Sequence, residues 1–314
     1  MTQIKGGRQA QSLYHRQAIS AMALLFPIML FFVAVVYYPI VHALVMSFFE
    51  WDLFKTANPF VGLANYRKMF EDSTFLHSLL NTTVYTFFTV ASGTLLALLL
   101  ATLLNRDLRL GNLYRFLYYI PVITPLVASA VIWTWLYHPS HGLINYALSF
   151  LGIANIGWLV DPRSAMPAVI IMSVWQRLGF NMLIFLAGLK SIPTVYYDAA
   201  RVDGASGWQC FRCITIPQLK PVTLFVVVTY TIQAFKVFGQ VYVMTAGGPV
   251  DATRVVVFDI YQTAFLSMKL SYASAMAFLL LAILLLLTFV QMRLGREKSE
   301  PSRKRIKERK GWQR

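Results

Sequence analysis

The chain has 314 residues, 57% of them hydrophobic and 13% charged, with a net charge of +15 and a mean hydropathy of +0.58. Soluble domains carry roughly 45–50% apolar and about 25% charged residues, so this composition excludes a disordered chain, a collagen-like chain and an ordinary cytosolic enzyme. Two cysteines exclude a disulfide framework, which leaves a polytopic membrane protein, helical or barrel.

The apolar runs decide against a barrel. Barrel strands alternate apolar and polar residues over about ten positions, whereas Ala21–Phe49 has no Asp, Glu, Lys or Arg over its whole length. Lipid offers no partner for backbone N–H and C=O groups, so a run this long reads as a helical span. It is too long for a cleavable leader and lacks a small-residue cleavage site. In chain order the sequence predicts six spans, near 21–49, 78–104, 113–137, 165–190, 221–245 and 272–294. Pro27 and Pro39 predict a kink or break toward the ends of the first.

Six spans place both termini on one side. The Lys and Arg bias makes that side cytoplasmic, with twenty basic residues inside against six outside. Ten of them lie from Arg293 onward, and a cluster just past a span reads as a topology anchor touching anionic lipid rather than a nucleic-acid site. The chain thus divides into an N-terminal tail, 1–20, a six-helix transmembrane domain, 21–294, and a basic tail, 295–314. The outer segments 50–77, 138–164 and 246–271 carry turn chemistry, strongest at Gly247-Gly248-Pro249.

Two cations fall inside spans. Ser173, Arg177 and Asn181 stand four apart in the fourth span, on one helical face. Tyr230, Gln233, Lys236 and Gln240 form a second polar stripe in the fifth. Charge at bilayer depth normally faces a path or a partner, and no Asp or Glu lies inside any of the six spans. Amides, phenols and cations suit polyhydroxylated solutes, and two cations would equally suit a phosphorylated polyol. The stripes either line a solute path or serve packing and gating. Trp133, Trp135, Tyr137 and His138 read as an aromatic interface belt.

The inner loop 191–217 is different from the others. Pro193 suits a first helical turn. Gly204 and Gly207 can stop a helix by taking positive φ. Ser206 and Gln209 have the spacing of a capping box for a second short helix, which Pro217 ends. Cys210 and Cys213 lack a second ligand pair and read as structural.

Within this loop, Asp198-Ala199-Ala200, Asp203-Gly204-Ala205, Phe211, Ile214 and Pro217 resemble the EAA loop of ABC importer permeases. Phe60-Val61-Gly62-Leu63, Asn65-Tyr66, the stretch from Ile120-Pro121 to Trp135, Trp175–Leu189 and Phe235–Pro249 are similar to the sugar-importer branch, of the maltose and glycerol-phosphate type. The likeness covers about 15–295. It departs at Asp198, where the family usually has Glu; the carboxylate stays but its stem is one methylene shorter.

The resemblance implies an all-α type I importer fold in a bacterial or archaeal inner membrane. It implies that those loop residues form a coupling helix that docks on a separate ATPase. A second related permease subunit, two ATP-binding subunits and an extracytoplasmic solute-binding protein would complete the assembly. No G-x-x-x-x-G-K-[ST] phosphate loop occurs in the chain, so ATP would belong to the partner subunit, with no cofactor and no enzyme activity in this chain. The five His residues show no metal spacing. A secondary transporter or channel working alone is the alternative; it would ordinarily place ion-coupling acids in the spans.

Overall fold

The structure, a computed structural model, describes residues 17, 20–22, 24–50, 58–106 and 108–296. The predicted tails, 1–20 and 295–314, lie almost wholly outside them. The chain forms two compact units, Met1–Lys68 with Thr263–Phe278, and Met69–Gln262 with Leu279–Arg314. Among the described residues the regular structure is helical, with one isolated bridge, Phe49 to Phe60.

In the first unit, α1 (Ser20–Met46) is an apolar helix long enough to cross a membrane. Pro39 has no N–H and its ring crowds the carbonyl four residues back. The helix meets this with a π turn at Val33–Tyr37, closed by the Tyr38 N–H donating to the Val33 carbonyl. The predicted kink is therefore a widening of the helix. It ends three residues before the expected 49, because Asn65 Nδ2 donates to the carbonyls of Ser47 (2.9 Å) and Phe49 (3.0 Å) and holds a turn ahead of α2 (Ala64–Glu71).

The second unit is built on α3 (Ser73–Leu104). Asp72 caps it, accepting from the N–H groups of Thr74 and Phe75, so it starts five residues before the predicted 78. Gly93, Ala97 and Ala101 recur every fourth residue on its buried face, and small residues at that spacing let another helix approach closely. Against this face lies α7 (Pro162–Lys190), capped by Asp161 with Pro162 in its first turn.

The third predicted span, 113–137, is two helices. After α4 (Gly111–Ile123) the chain turns by 100° into α5 (Leu126–Leu136). Pro125 holds Thr124 extended, at ψ 132°, because its ring excludes the helical region for the residue before it. Segment 138–164, expected to be loop, carries α6 (Leu143–Ser149).

Segment 191–217 folds as α8 (Thr194–Val202) and α9 (Gly207–Gln218), followed by α10 (Lys220–Phe235) at 61° to α9. The fifth predicted span, 221–245, is also broken. Lys236 leaves helical geometry, and α11 (Gly239–Met244) starts afresh after Phe238 at φ −147°. Gly239 makes this possible, since a Cβ there would sit 2.7 Å from Leu126. Segment 246–271 carries α12 (Val256–Leu266), and α13 (Leu270–Arg296) is the last span. Among the described residues, four helices are thus long and apolar enough to cross a membrane, or up to six if each bent pair is one span.

Candidate functional site

A cavity of about 460 Å³ lies among α3, α4, α5, α7, α10 and α11. Six of the seven predicted path residues line it: Ser173, Arg177, Tyr230, Gln233, Lys236 and Gln240. The break after α10 achieves this. The fifth-span stripe is not one helical face; Gln233 lies on α10, Lys236 in the break and Gln240 on α11. Asn181 does not line the cavity. It is buried, with no hydrogen-bond partner for Nδ2 among the described residues. Eight residues at 3.6 per turn rotate it roughly 80° from Ser173.

Gln240 joins three helices. Its Nε2 lies 3.1 Å from the Tyr85 hydroxyl and 3.2 Å from Ser173 Oγ, while Ser173 donates to the Val169 carbonyl at 2.7 Å. The Arg177 guanidinium stands 5.9 Å from the Phe180 ring, a cation–π contact. Neither Arg177 nor Lys236 pairs with a carboxylate among the described residues. The wall is otherwise aromatic and amide-rich, with Tyr85, Tyr119, Phe180, Phe238 and Gln176 unforeseen in the sequence. An aromatic residue inside an apolar run reads as core, so no sequence signal marked the aromatics, and Gln176 falls outside the four-residue stripe of Ser173 and Arg177. Tyr230 occupies a notch at Gly93, where a Cβ would lie 2.6 Å from its ring, and its buried hydroxyl is unpartnered among the described residues.

The predicted aromatic belt is largely core. Tyr137 is buried and its hydroxyl donates to the Ala168 carbonyl at 3.1 Å; Trp133 stacks edge-on against Trp175, and Trp135 alone of the four is well exposed.

The loop has the expected two helices. At the end of α8 the Ala205 N–H donates to Ala200 O (2.9 Å) and the Gly204 N–H to Arg201 O (3.0 Å), with Gly204 at φ +79°. This is a Schellman cap. Both halves of the Ser206–Gln209 capping box are made. Two expectations fail. Gly207 does not stop a helix; it opens the next with φ outside the positive range. Pro217 does not end α9 but sits in its last turn, where a π segment at Phe211–Thr215 precedes it and accommodates the missing N–H.

Tyr197 and Thr215 hydroxyls, 2.9 Å apart, tie the two helices together. Ile214 packs inward beside Leu219 and Phe185, and Phe211 stacks on Trp208. Asp198, Ala199, Asp203, Gly204 and Pro217 face outward, Ala200 and Ala205 are half-covered, and Val202 is 89% exposed. A Cβ at Gly204 or Gly207 would meet nothing within 4 Å. The nine residues are therefore one contiguous element, part surface and part foundation.

Beyond the loop, Arg254 holds Asp259, with Nε 3.0 Å from Oδ1 and Nη2 on the same oxygen. Ser78 Oγ approaches the other oxygen at 3.4 Å. Burial pushes the Asp259 carboxyl above its ordinary value, and Arg254 offsets only part of this. Asn81 Nδ2 donates to the carbonyls of Asp251 and Arg254, both at 3.0 Å, fixing 251–259 to α3.

The profile of the binding-protein-dependent transport system inner membrane component matches residues 93–299. The chain belongs to that family. Its sequence is 34% identical over 287 residues to the trehalose/maltose transport system permease protein MalF of Thermococcus litoralis, covering 90% of this chain and 96% of that one. The sn-glycerol-3-phosphate transport system permease protein UgpA of Brucella abortus is 34% identical over 273 residues, 86% of this chain and 92% of that one. A bacterial alginate ABC transporter, solved with an alginate pentasaccharide-bound periplasmic protein, shares the fold at a TM-score of 0.79 and 22% identity, over 90% of this chain and 95% of that one. In this permease, the matched region holds the whole 191–217 loop and most of the cavity; Tyr85 lies before it.

Proposed function

We propose that the chain is the membrane-spanning subunit of an ATP-driven importer that moves a carbohydrate or related polyol through the cavity. The solute is handed over by an extracytoplasmic binding protein, as the alginate complex suggests by analogy, and the trehalose/maltose and glycerol-phosphate relatives favour this solute class. A second related permease subunit and two ATP-binding subunits complete the assembly in a bacterial or archaeal inner membrane, with both termini cytoplasmic. ATP stays on the partner, and this chain makes and breaks no bonds.

One observation carries the coupling role: α8 ends in a rigid cap with open space around Gly204 and an exposed face at Asp198, Ala199, Val202 and Asp203. A short capped helix moves as a body, and small side chains admit another backbone. ATP binding to one state of the ATPase pair would shift the permease between its two accessible states by differential affinity.

The test is reconstitution of the chain with its partner subunits in liposomes, reading ATP hydrolysis stimulated by loaded binding protein. Gly204→Trp fills the open space and should lower stimulated hydrolysis by roughly tenfold or more, with assembly of the complex intact. Stimulation unchanged in both Gly204→Trp and Asp198→Ala would overturn the coupling role.

A further inference from the structure

The cavity is built for hydroxyl groups and also carries charge that nothing in the described chain neutralises. Arg177 and Lys236 both line it, contributed by α7 and by the break after α10. Two cations without a carboxylate partner are unfavourable among membrane helices, and like charges sharing one cavity raise the penalty further. Phe180 offers Arg177 its ring face, and the carbonyl end of α10 favours a cation at Lys236. Both are partial dipoles, and neither removes a unit of charge.

We infer that this permease selects an anionic solute: a polyol or glycoside bearing a carboxylate or a phosphoester, whose charge is met by Arg177 and Lys236 while Gln176, Gln233 and Gln240 take its hydroxyls. The inference rests on the transport reading of the cavity and narrows its solute class. A guanidinium matches the two oxygens of a carboxylate or phosphate with paired donors, and an ammonium adds a mobile point charge. A neutral sugar would leave both cations unpaired in the occupied state, with less water to screen them.

The experiment uses the purified complex of this chain with its partner subunits, in nanodiscs, and reads the thermal midpoint with three probes at equal concentration: sn-glycerol 3-phosphate, a uronate disaccharide and maltose. At least one anionic probe should raise the midpoint where maltose does not, and 500 mM salt should suppress the shift. A shift from glycerol phosphate alone assigns a phosphoester, from the uronate alone a carboxylate, and either supports the inference. Arg177→Met with Lys236→Met should weaken binding of the active anion by about tenfold or more. Lys236→Glu, at an exposed position, should abolish it in a complex that folds, whereas Arg177→Lys should retain part of it. A maltose shift equal to the anion's, the absence of any anion shift, or an anion shift that survives both substitutions overturns the inference. Hydrolysis stimulated by the loaded binding protein is measured on the same preparation. Its loss would count against the transport reading, and its persistence without anion preference would count against the anionic solute alone.

Discussion

Glycine does opposite things in the helical body and in the 191–217 loop. At Gly179 on α7 a Cβ would lie 2.0 Å from the Tyr118 carbonyl oxygen, and at Gly188 it would lie 2.8 Å from Val222. At Gly204 and Gly207 it would meet nothing. In the body the missing side chain is space already taken by a neighbouring helix. In the loop it is space left vacant. The body should therefore register substitution as lost stability, and the loop as lost communication with little change in stability.

The largest effect that sharpens this contrast belongs to the body. Arg254→Met strands the nearly buried Asp259 carboxylate, at a cost of roughly 3–5 kcal/mol, read as a fall in the thermal midpoint of the complex. The same pair sets a pH dependence. With its folded-state value above the unfolded one, Asp259 takes up a proton on folding between those two values. Stability attributable to it is full below the unfolded value and is lost as pH rises through the folded one. Asp259→Asn should flatten that slope in midpoint against pH; an unchanged profile would show that another group sets it.

Next comes Gly179→Ala, where backbone rather than a movable side chain blocks the new methyl. It should cost about 1–3 kcal/mol by separating α4 from α7, and a midpoint within error of the parent would break the contrast. Gly204→Ala should cost about 1 kcal/mol through its positive φ alone, with no steric component. Gly207→Ala, in helical geometry and open space, should stabilise by roughly 0.5–1 kcal/mol. The smallest effect is expected for Arg201→Ala. Its 3.3 Å pair with Asp198 is largely exposed on both sides, and such pairs contribute about 0–1 kcal/mol.

The legibility of these regions in the sequence follows the range of the forces involved. Long uncharged runs, caps and turns act within a few residues, so the presence of α1 and α13 as long apolar helices and the Ser206–Gln209 box could be read directly. The break at Thr124-Pro125 was also written locally, in a proline that a count of apolar length passes over. The break at Lys236 was not, because it depends on α11 settling against Leu126. The cavity shows the same division. Its cations and the amides Gln233 and Gln240 stood out as polar residues in an apolar context. Tyr85, Tyr119 and Phe238 did not, since what makes them wall rather than core is the position of other helices. Asn181 misled because a four-residue step repeated twice drifts around the helix. Pro217 misled because the π segment before it relaxes the constraint that normally ends a helix.

Tyr230 leans into the space that residue 93 leaves empty. The bore of the cavity is therefore set partly from behind its own wall, by an atom that is missing. Adding a single methyl at that point would drive the phenol forward and narrow the cavity from a position that does not line it. On the transport reading proposed above, bulky solutes should be refused first and compact ones last.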